Sequence, residues 1–366
     1  MTLTRRRFVS RVACAAALPA LGGVRPGRAG QGSQPGAAGS LTDVPGLRVG
    51  HWTDTRRPTG CTAILFDPEA SAGVDYNGSA PGETGVVLLQ PVSPVETIHG
   101  LFLGGGGMFG LGAHAGVIRY LEDQKRGFDW GGSIRVPVVP GAIIDDLAVG
   151  DPTIRPDAQA AYRACEAAST APVGEGNVGA GAGATVGRML RQHTAGGMKG
   201  GLGTASLRAG DIVIGALAVV NAAGDVLDWH SGRIVAGARR ADGPGFADIV
   251  EVLKRTTGGA PGGRVVDDPA LRSTTLIVVA TNLTMTKTQL TKVAMMANCG
   301  AARAIRPYHT TGDGDQLFAV STRRTRREDV NVTTVGTLAA EVVAEAVLRG
   351  VLAATSVEGW PAARDL

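Results

Sequence analysis

The sequence predicts a layered α/β domain with mixed sheets, and two observations carry that expectation. Short Val/Ile/Leu runs set between turn residues alternate loosely with segments whose apolar residues recur about every 3.6 positions, with no repeat of fixed period. The composition agrees: of 366 residues 44% are hydrophobic and 55 are glycine, while aromatics reach only 4%. That balance suits a tightly packed domain with many turns and close backbone approaches, not a disordered chain. Strands are expected at 62–66, 85–89, 135–139, 212–220, 276–280 and 317–321, and helices at 112–122, 156–168, 288–304 and 337–352.

The N-terminus has its own grammar. Arg5, Arg6 and Arg7 precede Phe8, an apolar alanine-rich run follows from Val12 to Leu21, and small residues end near Arg28 and Ala29. A basic start, a short apolar stretch and a small-residue cleavage site make a secretory signal over 1–29, of the twin-arginine type. The apolar run is too short for a membrane span of ~20 residues. A fortuitous basic start on a cytosolic protein is the competing reading. Residues 30–40, rich in Gly, Ser, Gln and Pro, read as a flexible leader, and 41–366 as a single mature domain in the periplasm or outside the cell.

Charge and cysteine exclude several classes. The net charge of +4 is modest, and many arginines sit in the signal and in the 323–327 run, which reads as a solvated loop. Nothing there calls for a nucleic-acid partner, or for a membrane once the signal is gone. Without Cys14, which leaves with the signal, three cysteines remain: Cys61, Cys165 and Cys299. An odd count without paired spacing argues for buried free thiols over a disulfide framework or a zinc site. The histidines are scattered, and neither a metal nor an organic cofactor is expected.

One segment breaks the rhythm. Residues 255–273 (RTTGGAPGGRVVDDPALRS) are Gly/Pro-rich and aperiodic, and internal loops of this length are usually functional or disordered. The segment ends abruptly at Thr274, which opens a strong β run. A flexible leader feeding a strand that begins with a hydroxyl residue is the layout self-cleavage requires, although Ser and Thr commonly open strands.

Three stretches then carry a resemblance. They are LTDVPGLRVGH at 41–51, GNVGAGAGATVG at 176–187 with MKGGLGT at 198–204, and the C-terminal pair of Ser273–Asn282 with PYHTTGDGDQLFAV at 307–320. Together they resemble the self-processing aminopeptidases and amidases of the L-aminopeptidase/D-esterase type, which include β-peptidyl aminopeptidases and nylon-oligomer hydrolases. The resemblance implies a four-layer αββα sandwich, similar to ornithine acetyltransferases and other N-terminal-nucleophile hydrolases. It also implies autocleavage between Ser273 and Thr274 into an α fragment (41–273) and a β fragment (274–366). A small peptide or amide substrate and a homo-oligomer, tetrameric in relatives, are further implications.

The chemistry fits. A Thr hydroxyl is a weak nucleophile that needs a base, and a new N-terminus supplies an α-amine with a reference pKa of ~7.7–8.0. Thr275 would face the opposite side of the strand. By resemblance Asn221 helps form the oxyanion hole, though Asn is also favoured in the turn before Ala222, Ala223 and Gly224. Asp313 and Asp315 flank Gly314 and match a catalytic acidic pair, in which one acid holds a proton; a plain turn or weak calcium loop is the alternative. Where nylon-oligomer hydrolases carry a catalytic lysine this chain has Arg188, which stays protonated. Lys199 is a possible substitute or a solvated turn residue. A tyrosine of relatives is replaced by Ile144, and Ser273 stands where relatives have Gly or Asn. The Gly-rich run at 103–112 lacks the ending of a phosphate loop and reads as packing or close approach to a substrate cleft. Two rival functions remain: an ornithine acetyltransferase-like acyl transferase, against which export counts, and a non-catalytic binding protein on the same fold.

Overall fold

The computed structural model describes residues 39–190, 193–257 and 273–366. The signal-like segment, nearly all of the leader, and positions 258–272 of the linker lie outside the described residues. Residues Ala37–Leu366 form one compact unit. Among the described residues no helix is long and apolar enough to cross a membrane.

The main strands are β1 (Leu47–Thr53), β2 (Gly60–Asp75), β3 (Ile98–Gly104), β4 (Gly201–Ala209), β5 (Ile212–Asn221), β6 (Thr274–Leu283) and β7 (Gln316–Thr325). The helices are α1 (Ala115–Asp123), α2 (Ala158–Glu166), α3 (Ile249–Thr257), α4 (Lys287–Ala304) and α5 (Val332–Leu352). The strands run in the order β4-β5-β6-β7-β2-β3, with β1 also on β2 and two short strands, Gly141–Ile143 and Glu83–Thr84, beyond β3. All these pairs are antiparallel except β6 with β7 and β3 with Gly141–Ile143.

Period-two alternation sorts each strand's side chains between layers. On β5 and β6, Ile214, Ala216, Ala218, Ile277 and Val279 join the core beneath α4 and α5. Their alternates Leu217, Val219, Leu276 and Val278 meet Ile64 and Phe66 of β2 in a second core between sheets. The opposite face of β2, Cys61, Ala63 and Leu65, packs with Val117 and Leu121 of α1 and Ala160 and Ala164 of α2. Three cores in series make four layers: helices, sheet, sheet, helices. This is the expected αββα sandwich. The strands read as near-continuous apolar runs because both of their faces are covered.

Local signals start the helices where they begin. Thr286 and Gln289 form a capping box at α4, and Asp157 and Asn331 cap α2 and α5 through the amides of Ala160 and Thr334. α5 lies very close to β4. A Cβ added at Gly203 would sit 2.2 Å from the Ala346 carbonyl oxygen, so a side chain there would force helix and strand apart.

Several expectations need correction. Residues 86–89 form a 3-10 turn, not a strand, after Gly85 turns through a positive φ of 68°. The expected strand at 135–139 is Ile134–Val136, half of an exposed hairpin with Phe128–Gly131. The helix expected from 112 starts at Ala115, because Gly107–His114 winds as 3-10. α3 was not foreseen. Arg323 and Arg324 belong to β7 rather than a loop, and Arg323 bonds Glu69 at 2.9 Å. Cys61 and Cys165 are buried free thiols, but Cys299 is exposed.

Candidate active site

The site forms where the β5–β6 ladder ends. Asn221, the last residue of β5, is registered opposite Thr274, the first of β6. Ser273, immediately before it, bridges to Asp313 in parallel. Thr274 is buried, and its Oγ1 donates to the Ser273 carbonyl oxygen at 2.6 Å. The same oxygen accepts the Gly314 amide at 2.8 Å. A hydroxyl and an amide donor therefore converge on one carbonyl. Glycine is required at 314 by close approach: a Cβ there would stand 2.7 Å from Thr274 Oγ1 and 2.6 Å from the Ala80 carbonyl oxygen.

The two acids flanking Gly314 are both buried but differently served. Asp315 Oδ1 accepts the Thr275 amide at 2.6 Å, and Oδ2 meets the His309 amide and the His309 Nδ1, both at 3.1 Å. Asp313 Oδ2 accepts the Thr310 amide at 2.8 Å, while its buried Oδ1 makes no hydrogen bond. Burial first, and then the neighbouring Asp315 charge, pushes the Asp313 carboxyl up from 3.8 to about 6; hydrogen bonding by Thr310 and the Ala223 backbone opposes the rise.

Asn221 is fully enclosed. Its Oδ1 accepts the Thr185 amide at 3.0 Å and the Thr185 hydroxyl at 3.4 Å, which assigns Nδ2 as the outward donor; that nitrogen reaches the Asp145 carbonyl at 3.3 Å. Arg188, also buried, donates from Nη1 to the same Asp145 carbonyl at 3.1 Å. Asn221 and Arg188 thus share an acceptor. The turn carrying that acceptor is clamped by Arg57, whose Nη2 pairs with Asp146 at 2.9 Å with both side chains fully buried. Asp146 also accepts the Thr59 hydroxyl at 2.6 Å and the Gly106 amide at 2.8 Å, tying in the Gly-rich run.

Lys199 is no solvated turn residue. It is fully buried, and Nζ donates to the carbonyls of Gly181, Ala184 and Gly200 at 3.2, 2.8 and 2.9 Å. Burial pulls its pKa from 10.5 down to about 7 against the charge of Asp146. The Ala184 carbonyl it holds immediately precedes Thr185, the residue that fixes Asn221. Ile144 is buried in the core between the sheets.

His309 and Tyr308 were given no role from sequence, although both lie in the 307–320 block. Their rings stack at 3.9 Å. The half-buried Tyr308 donates its hydroxyl to Asn298 Oδ1 at 3.0 Å, and Asn298 Nδ2 donates to Asp75 Oδ2 at 2.7 Å. A histidine four positions before the first acid of the turn is the one available sequence signal. Chemically, the assembly offers a hydroxyl against a carbonyl, a fixed amide on that carbonyl oxygen, and a buried acid, Asp313, whose pKa burial raises to about 6.

Known proteins resemble this chain over most of its length. A protein of Mycobacterium leprae described as an uncharacterized aminopeptidase is 38% identical over 361 residues, covering 88% of this chain and 92% of its own. A 6-aminohexanoate-oligomer endohydrolase of a Kocuria species is 30% identical over 322 residues, 84% of each chain. Among solved structures, a Burkholderia β-aminopeptidase superposes with a TM-score of 0.61 at 22% identity over 87% of both chains. The L-aminopeptidase D-Ala-esterase/amidase of Ochrobactrum anthropi, described as a variant of the Ntn hydrolase fold, gives 0.59 at 24% identity over 86% of both. These structures share the fold found here. Residues 39–364 match Peptidase family S58 as one span, and the chain belongs to that family of peptidases.

Proposed function

We propose that the chain is an exported hydrolase that cuts itself between Ser273 and Thr274 and then uses Thr274 as an N-terminal nucleophile on amide bonds. The observation that carries this reading is the convergence on the Ser273 carbonyl, with Thr274 Oγ1 at 2.6 Å and the Gly314 amide at 2.8 Å from its oxygen. In the self-cleavage step Oγ1 attacks the Ser273 carbonyl carbon and its proton passes to the departing Thr274 nitrogen, while the Gly314 N–H stabilises the oxyanion. Collapse expels the Thr274 nitrogen as an amine and leaves Ser273 esterified to Oγ1. Water hydrolyses that ester, giving a Ser273 carboxylate and a free Thr274.

The released α-amine, with a reference pKa of ~7.7–8.0, becomes the base that the amide nitrogen was not. Substrate amides then follow the same course. Thr274 Oγ1 takes the acyl group, the leaving amine takes a proton, and water frees the acid. Asn221 Nδ2 serves as an oxyanion donor, oriented by Thr185, and the Asp313–Asp315 pair exchanges protons with the nucleophile's amine. Arg188 supplies fixed charge through the Asp145 carbonyl it shares with Asn221, and Lys199 supports Asn221 from behind. The relatives named as aminopeptidases and as a 6-aminohexanoate-oligomer endohydrolase support small peptides or aminoacyl amides as substrates. The arginine triplet at 5–7 supports export, and a homo-oligomer is part of the same reading.

The test is N-terminal sequencing and intact mass of the purified protein beside a Thr274→Ala variant. A second chain beginning Thr-Thr-Leu, absent from the variant, is the expected result. One uncut chain in both after prolonged incubation would remove the mechanism.

A further inference from the structure

We propose that Lys199 is a positioning residue that fixes which end of the Asn221 amide is the donor, acting through the single peptide unit between Ala184 and Thr185. The inference rests on the reading above, in which Asn221 Nδ2 serves the oxyanion, and names the group that holds that donor to its aim.

The link is one planar peptide. Its carbonyl oxygen, that of Ala184, accepts Lys199 Nζ at 2.8 Å and the Gly200 amide at 2.8 Å. Its N–H, that of Thr185, donates to Asn221 Oδ1 at 3.0 Å. Planarity couples the two ends, so a carbonyl that tilts carries its N–H with it. A cation on the carbonyl also polarises the unit and strengthens the N–H as a donor. With Oδ1 taken by Thr185, Nδ2 keeps two hydrogens for the other side. One goes to the Asp145 carbonyl at 3.3 Å, and the second remains for an oxyanion at the register position opposite Thr274.

The cage is built for an ammonium. Lys199 lies opposite Thr185 where Met198–Lys199 pairs with Thr185–Val186. It is fully buried, and Nζ meets three carbonyls, those of Gly181, Ala184 and Gly200. An ammonium has three N–H donors and no acceptor, so cage and side chain match donor for acceptor. Backbone amides already serve two of the three oxygens: that of Ala184 reaches Gly181 at 3.2 Å, and that of Gly200 reaches Ala184. An apolar chain would fill the space without the desolvation cost of a buried cation. Closing the fold therefore does not demand the charge, whereas aiming the 184–185 peptide uses it.

The experiment is a double-mutant cycle on the full-length protein: unmutated, Lys199→Met, Asn221→Ala and the two together. Intact mass scores the cut at Ser273–Thr274, and kcat and KM on a chromogenic aminoacyl amide follow. Lys199→Met is expected to cut and to keep its KM while kcat falls about 10–10²-fold, the loss that a small misplacement of a catalytic group brings. The double variant is expected to be no slower than Asn221→Ala alone. A residue that acts through Asn221 has nothing to act on once that side chain is gone.

Losses that multiply across the cycle would overturn the proposal, because a lysine that only supports the fold acts independently of Asn221. So would an unchanged kcat in Lys199→Met, or a Lys199→Met chain that stays whole while Asn221→Ala cuts. If Asn221→Ala stays whole as well, both are scored on the rate of cutting, and Lys199→Met cutting at the unmutated rate overturns it. If Lys199→Met does not fold, the cycle is run with Lys199→Gln and read in the same way; if neither folds, the lysine serves the fold and the proposal falls. Failure of the underlying reading looks different: Asn221→Ala keeps its full kcat, or the unmutated protein yields no chain beginning at Thr274.

Discussion

Asn221 and Thr274 face each other across the β5–β6 ladder, the last residue of one strand opposite the first of the next. A one-residue slip would turn every side chain of β6 to the other core. The apolar alternation of both strands therefore also sets the place of the polar pair at their end.

That relationship separates two reactions. Asn221→Ala is expected to lower kcat on an aminoacyl amide by about 10²–10³, the usual effect of removing an oxyanion donor. Self-cleavage should persist, because the Ser273 oxygen is served by the Gly314 amide. Mass spectrometry of the variant, alongside its kinetics, checks the split; an uncut Asn221→Ala chain would place Asn221 in both steps.

Gly314→Ala is expected to block the cut. The new methyl would occupy the space between Thr274 Oγ1 and the Ala80 carbonyl oxygen. Overpacking of this kind typically costs ~1–3 kcal/mol, so the chain should fold while remaining whole. Circular dichroism and gel mobility read the two outcomes separately.

Asp313→Asn should stabilise the protein at neutral pH while abolishing turnover. A carboxyl whose folded pKa is raised from 3.8 to about 6 binds more protons folded than unfolded between those values. Stability therefore falls as pH rises from about 4 to about 6, and the cost stays in force above that window. Asp225, also raised to about 6 by burial, contributes in the same window in both proteins. The difference in melting temperature between variant and parent, followed from acid to neutral pH, should thus grow with pH; a constant difference would contradict it.

Arg57→Met is expected to cost about 3–5 kcal/mol, because it leaves the Asp146 carboxylate buried without its cation. The loss should appear in urea unfolding. Activity of the folded fraction should also fall, since the Asp145 carbonyl held by this turn receives both Asn221 and Arg188.

Much of this was legible in the residues. β5, β6, β7, α4 and α5 carry long, unmixed apolar patterns, and burial on both faces makes such patterns unambiguous. The start of β6 at Thr274 was legible because an aperiodic Gly/Pro segment meets a strong strand there, while the role proposed for Thr274 came from the resemblance. Residues 86–89 misled because a short Val-Val-Leu-Leu run has no period to tell strand from turn, and the positive φ at Gly85 decides it. Lys199 could not be read: lysine is ordinarily exposed, and the Gly181 and Ala184 carbonyls meet it, beside that of its neighbour Gly200, only in the fold. His309 was hidden for the same reason. Its partner is six residues away, but its aim depends on a backbone angle and a stacked tyrosine.

The strand order has a consequence for how the mature protein can be rebuilt once it is lost. β6 and β7 lie between β5 and β2, so residues after 273 supply the middle of a sheet whose flanks come from residues before it. An uncut chain refolds as one molecule, at a rate independent of concentration. A chain opened at Ser273–Thr274 must first find its other half, so its refolding becomes bimolecular and fails on dilution. The cut would thus change the molecularity of folding, so that a cut enzyme, once unfolded at low concentration, would not recover.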